Sequence, residues 1–149
     1  MINYGKVFFE SSLHLFTYYK NLGERALEQI PDDKLFWQFN EDSNSAATIV
    51  KHLSGNMLSR WSDFMNSDGE KNVYIRNQSH HLIEAISRQL THYASHIGQL
   101  IYLGKMLHQG SWKSLSIPKG ASRSFNKEKF GQPKNDGKFT NDYLKETKK

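Results

Sequence analysis

Residues 80–108 carry the longest amphipathic pattern in the chain. Leu82, Ile83, Ile86, Leu90, Tyr93, Ile97, Leu100, Ile101 and Leu107 recur at steps of three and four, the spacing that gathers side chains on one face of an α-helix. Two further stretches repeat the period. Phe8, Phe9, Leu13, Leu15, Phe16, Tyr19, Leu22, Ala26, Leu27 and Ile30 predict a first helix over residues 3–29, which Pro31 ends because proline disfavours helical geometry in the residue before it. Ile49, Val50, Leu53, Met57, Trp61 and Phe64 predict a second, running from the N-cap oxygens of Ser43, Asn44 and Ser45 to about residue 65. Ser79 is placed to cap the last helix and Gly110 to stop it. The expected class is all-α, built on three long helices.

The connectors follow local chemistry. Leu35, Phe36, Trp37 and Phe39 in the first are expected to fold back on the helices, since four large apolar groups are costly to leave in water. "NSDGEKN" (66–72) reads as a turn, with Asp-Gly its strongest signal, and "VYIRN" (73–77) as a short β-prone stretch, one extended turn. Gly55, inside the second helix, costs about 1 kcal/mol relative to alanine and suggests a close approach by backbone or ligand. "SWKSLSIPKG" (111–120) reads as an ordered loop offering Trp112, Leu115 and Ile117 for packing.

Charge divides the chain. Residues 1–112 hold ten Lys and Arg against eleven Asp and Glu, whereas residues 113–149 hold ten against four. The net charge of +5 therefore belongs to the tail. We expect a helical domain over 1–120 and a basic, loosely ordered tail over 121–149, where aliphatic residues nearly vanish. The tail interleaves lysines with Phe125, Phe130, Phe139 and Tyr143. Such a pattern suits single-strand stacking or, the reading favoured here, a solubilising extension. No nucleic-acid-binding module accompanies it, so nucleic acid is not the expected partner. No stretch approaches the ~20 apolar residues that span a bilayer, and the first residues do not read as a signal peptide. The absence of cysteine excludes disulfides and thiolate metal sites and suits a cytoplasmic setting.

Any metal must then be held by histidine or carboxylate. His92 and His96 stand four residues apart, so both imidazoles leave one helix face and can converge on one ion at ~2.0–2.1 Å. Alone, the pair reads equally well as two solvent-facing or hydrogen-bonded residues. Its neighbours on that side of the helix are Ala85, Gln89, Gln99 and Leu103, which suit a pocket wall better than a solvated face. His52, near the apolar stripe of the second helix, is a third candidate if the two helices run antiparallel, although a lone histidine there is more often a satisfied core residue. Three imidazoles leave open positions on a zinc-like ion, the pattern of a catalytic site. His80 and His81 are expected to play neutral or capping roles at the start of the last helix, and His14 and His108 to lie at the surface or its boundary. Asp63 and Glu84 are the available acids or bases, singled out by nothing in their spacing. No nucleophile is evident.

"IVKHLSGNMLSRW", "ISRQLTHYASHIGQLIYLGKML" and "WKSLSIPKG" resemble the DinB-like superfamily, in one of its uncharacterised bacterial branches. The resemblance covers nearly all of residues 5–126 and rests on "KHLSGN" together with the "HYASHIGQ" segment. It implies an up-down-down-up four-helix bundle with a three-histidine metal site, the ligand roles falling on His52, His92 and His96. The implied ion is zinc or nickel. Relatives also carry a long crossover and a third helix, and here only Asn72 separates Lys71 from Val73. The bundle is thus reduced to three long helices, with an apolar seam left for a second copy of the chain or an exchanged helix to cover, so a homodimer is expected.

Two functions follow. One is a metal-dependent enzyme acting on a small-molecule substrate, a thiol-dependent transferase using a low-molecular-weight thiol, or a hydrolase. Asn56 and Gln99 would line its pocket. Arg60 and Arg88 would meet an acidic substrate or thiol carboxylate, although surface ion pairing is the commoner role for such arginines. The alternative is a non-catalytic metal- or partner-binding helical module that has lost activity together with the third helix.

Overall fold

The computed structural model describes residues 1–62 and 72–141. Asp63, Phe64 and the 66–71 part of the expected turn lie outside them, as does Tyr143. The described chain is all-α apart from one small hairpin. Helix α1 spans Tyr4–Leu27, α2 Ala46–Trp61, α3 Leu82–Leu107 and α4 Ser122–Phe130, with a 3-10 turn at Asp32–Lys34. Strands β1, Val73–Ile75, and β2, Gln78–His80, pair antiparallel in the register Val73↔His80, Tyr74↔Ser79 and Ile75↔Gln78.

The helix starts are capped. The Asn3 side chain accepts from the Lys6 N–H at 3.0 Å, and the Ser45 hydroxyl accepts from the Thr48 N–H at 3.2 Å, each satisfying an otherwise orphaned donor. Ser79 does not cap the last helix. It lies in β2, and α3 begins after His81, whose backbone N–H donates to Glu84 Oε2 at 2.9 Å. The stretch expected to be a single extended turn is a hairpin closed by two residues, Arg76 at φ 52° and Asn77 at φ 63°, both left-handed as a type I′ turn requires.

Contacts fix the helix directions. Phe16 packs edge-on against Tyr93, Gly23 against Ile97 and Leu100, and Ala26 against Gly104, so α1 and α3 run parallel. His52 meets His92 and His96, while Met57 and Arg60 meet Gln89, so α2 runs antiparallel to α3. The order is up, down, up. Gly23 and Gly104 mark the tight crossings. A Cβ on Gly104 would lie 2.9 Å from Trp112 Cη2. Around Gly55 a Cβ would meet nothing within 4 Å, so the close approach expected there is not found.

The main core joins Leu22, Ala26 and Ile30 of α1 and its end to Ile49, Leu53, Ile97, Leu100 and Leu115. Leu35 packs against it, but Phe36 and Phe39 remain 79% and 70% exposed, so the first connector folds back only in part. A second cluster seats Val73 and Ile75 of the hairpin on Ala85, with Trp61 beside them, closing the end where α2 finishes and α3 starts. The 111–120 loop is ordered, as expected. Lys113 N–H donates to Gln29 Oε1 at 2.8 Å, and the Gln29 amide donates to the Lys113 carbonyl at 3.1 Å. Within the tail, α4 forms with no buried residue, while Phe139 stacks edge-on against Tyr18 and Thr140 is buried.

Helices α1 and α2 each rest on α3 and leave between them a groove of about 390 Å³, floored by Tyr93, Ile97 and Leu100 and walled by Leu27, Val50 and Met57. Further out on those helices, Leu13 is 51% and Leu58 67% exposed. No helix among the described residues is long and apolar enough to cross a membrane.

Candidate metal centre

Helix period and helix direction together bring three histidines to one place. His92 and His96 sit one turn apart on α3 with ring centroids 4.6 Å apart. The antiparallel run of α2 sets His52 opposite, 5.1 Å from the His92 ring and 4.8 Å from that of His96. Nε2 of His52 and Nε2 of His92 are 3.1 Å apart. Each residue offers one nitrogen, and the three nitrogens lie within 4.8 Å of one another.

These residues fit a divalent ion. Two nitrogens bound at ~2.05 Å to a tetrahedral ion stand roughly 3.3 Å apart, close to the His52–His92 separation. Bringing in the third needs side-chain rotation that closes a separation of up to 4.8 Å by about 1.5 Å, and the rings are exposed at His52 and half-buried at His92 and His96. The donor set is neutral nitrogen throughout, which suits zinc-like or nickel-like ions better than calcium or magnesium. This group of three histidines can hold a metal ion.

Polar neighbours orient the rings. His96 Nδ1–H donates to Gln99 Oε1 at 2.9 Å. That bond fixes the tautomer and leaves Nε2 free to bind, as the outer partner of a ligating histidine commonly does. The Asn56 amide nitrogen lies 3.2 Å from His52 Nε2 and donates to the His52 carbonyl at 2.9 Å. Burial, followed by the charges of His96, Arg60, His52 and Arg76, holds the His92 pKa below its ordinary 6.5, so the ring is neutral, the form that binds metal, at pH 7.

The two arginines singled out in the sequence lie nearby but not on the histidines. Arg60 donates to Oε1 of Gln89, a residue with no exposed surface whose amide donates to Met57 Sδ at 3.3 Å. Arg88 Nη1 donates to His80 Nε2 at 2.8 Å. The ion pairs Lys6–Glu10, Lys20–Glu24 and Lys34–Asp33 lie elsewhere. Burial, with Arg88 and Arg76 close by, pushes the Arg60 pKa down.

Arg76 was not singled out in the sequence, and Gln89, expected on a pocket wall, is buried and accepts from Arg60. Gln89 gave a signal, a polar residue close to the apolar stripe; Arg76 gave none, because its position depends on the hairpin. Of the acid–base candidates, Glu84 is engaged at the start of α3, and Asp63 is outside the described residues. His108 is structural: its Nδ1–H donates to the Gln29 carbonyl at 2.9 Å and its ring meets Trp112 edge-on.

The model of a family described as a protein of unknown function, DUF1572, matches residues 3–73 and 70–121 of the chain, two segments that meet at 70–73. No curated protein and no solved structure matches.

Proposed function

The chain belongs to this family of unknown function, and from that premise we propose that it is a metal-dependent enzyme of the DinB-like superfamily whose ion, zinc or nickel, is held by His52, His92 and His96. The observation that carries the reading is the convergence of three imidazole nitrogens within 4.8 Å on two antiparallel helices. "KHLSGN" and "HYASHIGQ" support the superfamily assignment. The family match falls into two segments that overlap at 70–73, where the resemblance places the lost third helix, and this supports that reading too.

A bound divalent ion would supply Lewis acidity, lowering the pKa of a coordinated thiol or other protic ligand. The chain's own residues do the rest. Gln99 holds the His96 tautomer, and Asn56 sits beside His52, able to donate to a ligand that displaces its present contact. This suits a thiol-dependent transferase using a low-molecular-weight thiol, or a hydrolase, acting on a small molecule. The groove between α1 and α2, together with the exposed Leu13 and Leu58 on those helices, supports a homodimer in which a second copy covers the seam left by the missing helix.

One observation favours a second reading. His52 is exposed, and a site with one open wall suits a metal- or partner-binding module without turnover. Metal analysis of wild type and His92→Ala, purified without chelators, followed by thiol-transfer and hydrolysis assays, separates the two. One equivalent of zinc or nickel in wild type, lost in His92→Ala, together with turnover, is the expected result. Metal without turnover supports the module; absence of metal overturns the enzyme and the metal-binding module alike and leaves only a partner-binding one.

A further inference from the structure

We propose that the histidine face of α2, the hairpin and α3 takes a small-molecule ligand with an anionic head, a carboxylate or phosphate, gripped by Arg60, Arg76 and Arg88 beside the ion. The proposal deepens the metal reading and rests on it for the ligand's other end.

The charge inventory is the first support. Among the described residues, 46–62 and 72–107 contain Lys51, Arg60, Arg76, Arg88 and Lys105 and the carboxylate Glu84, which already accepts from the His81 N–H; Asp63, Asp68 and Glu70 lie outside the described residues. Three of the five cations are guanidiniums gathered at the hairpin end of the α2–α3 pair. Arg60 reaches Gln89, Arg88 reaches the last residue of β2, and Arg76 forms the turn between the two strands. The partners of Arg60 and Arg88 given above are neutral, an amide oxygen and an imidazole nitrogen. Like charges brought together repel, and here each lowers the cost of binding an anion. A divalent ion on three neutral imidazoles would add to that excess.

Geometry sets the ligand's size. Arg88 precedes His92 by four residues, one helical turn, so the two side chains leave the same face about 5–6 Å apart. A ligand with a metal-seeking atom at one end and its anion a few bonds away spans that gap. Arginine rather than lysine suits the role, because its planar fork meets carboxylate or phosphate oxygens in pairs.

The test uses the full chain loaded with zinc and calorimetric titration with two ligands of equal length, succinic monohydroxamate and butyrohydroxamate, which differ by a carboxylate in place of a methyl group. The expected result is at least tenfold tighter binding of the carboxylate compound, with the advantage falling to less than threefold in Arg88→Gln and Arg76→Gln while zinc content stays at the wild-type level. Equal affinity of the two compounds for wild type, or an advantage unchanged in both variants, overturns the proposal. A second arm titrates inorganic phosphate into the metal-free chain. Binding that weakens at least fivefold in Arg88→Gln supports the anion site even if no zinc is ever held, so failure of the metal reading is told apart from failure of this one. Arg60→Gln is read only after circular dichroism shows native helix content, since Arg60 reaches the buried Gln89.

Discussion

Zinc will raise the stability of this chain by an amount that His92→Ala abolishes, while the same substitution leaves the metal-free protein almost unchanged. The nitrogens of His52 and His92 already stand 3.1 Å apart, near the separation two ligands take on a tetrahedral ion, and His96 closes by ring rotation. Little backbone work is therefore subtracted from the binding free energy. At free zinc 100-fold above its dissociation constant the folded state gains about 2.7 kcal/mol. For a chain of 149 residues, each kcal/mol moves the melting temperature by about 2–4 °C, which predicts a rise of about 5–10 °C. In the metal-free protein His92 is a half-buried ring on the rim of the α2–α3 seam, and its removal costs about 0.5 kcal/mol or less, as for substitutions away from a core. The assay is differential scanning calorimetry of wild type, His92→Ala and His14→Ala, each with chelator and with zinc. His14→Ala, on α1 and outside the group of three histidines, retains the shift. Absence of a zinc-dependent rise in wild type refutes the reasoning. So does a metal-free His92→Ala protein that melts 5–10 °C below wild type, because the ring would then be part of the core.

Lowering the pH should destabilise the metal-free chain: the folded state holds the His92 pKa below 6.5, so between that depressed value and 6.5 the unfolded chain binds more protons and stability falls with pH, visible as a lower urea midpoint at pH 5.5 than at 7.5 and as loss of bound metal over the same range. Gly104→Ala places a methyl 2.9 Å from Trp112 Cη2 and should lose up to about 2 kcal/mol, overpacking outweighing helix propensity. Gly55→Ala meets only open space and should gain up to about 1 kcal/mol; urea unfolding of both checks the opposite signs. Light scattering at micromolar concentration should report a dimer that Leu13→Lys or Leu58→Glu weakens, and a clean wild-type monomer would count against coverage of the seam by a second copy.

The three long helices were legible because a 3.6-residue period sustained over 16 to 26 residues has few competing readings. The hairpin was not. Its strands are three residues each, and its turn uses Arg76 and Asn77 rather than the Asn-Gly that usually announces positive φ. Ser79 looked like a cap because nothing local shows that β2 claims it first. Phe36 and Phe39 stayed exposed because apolar character permits burial without compelling it. At the site, the His92–His96 spacing was readable from the helix period alone, and His52 needed only an antiparallel partner helix. Gln89 and Arg76 depend on which helix faces which and on where the hairpin lands, information spread over many residues. In the tail, nine residues of α4 form a helix that buries none of its own side chains, so no amphipathic stripe exists there to be read.

His52 and His92 are 40 residues apart in the chain, and α1 contributes no ligand. An ion shared by them would tie the ends of a loop that contains the hairpin and both of its flanking helical segments, doing for this cysteine-free chain what a disulfide does elsewhere. Because the ion leaves when the chain unfolds, its contribution is set by the free-metal concentration against its dissociation constant and not by entropy taken from the unfolded chain. Unlike a sulfur bridge, the tie can be undone by a chelator or by acid, so the stretch from His52 to His92 would be knotted or loosened by the supply of metal.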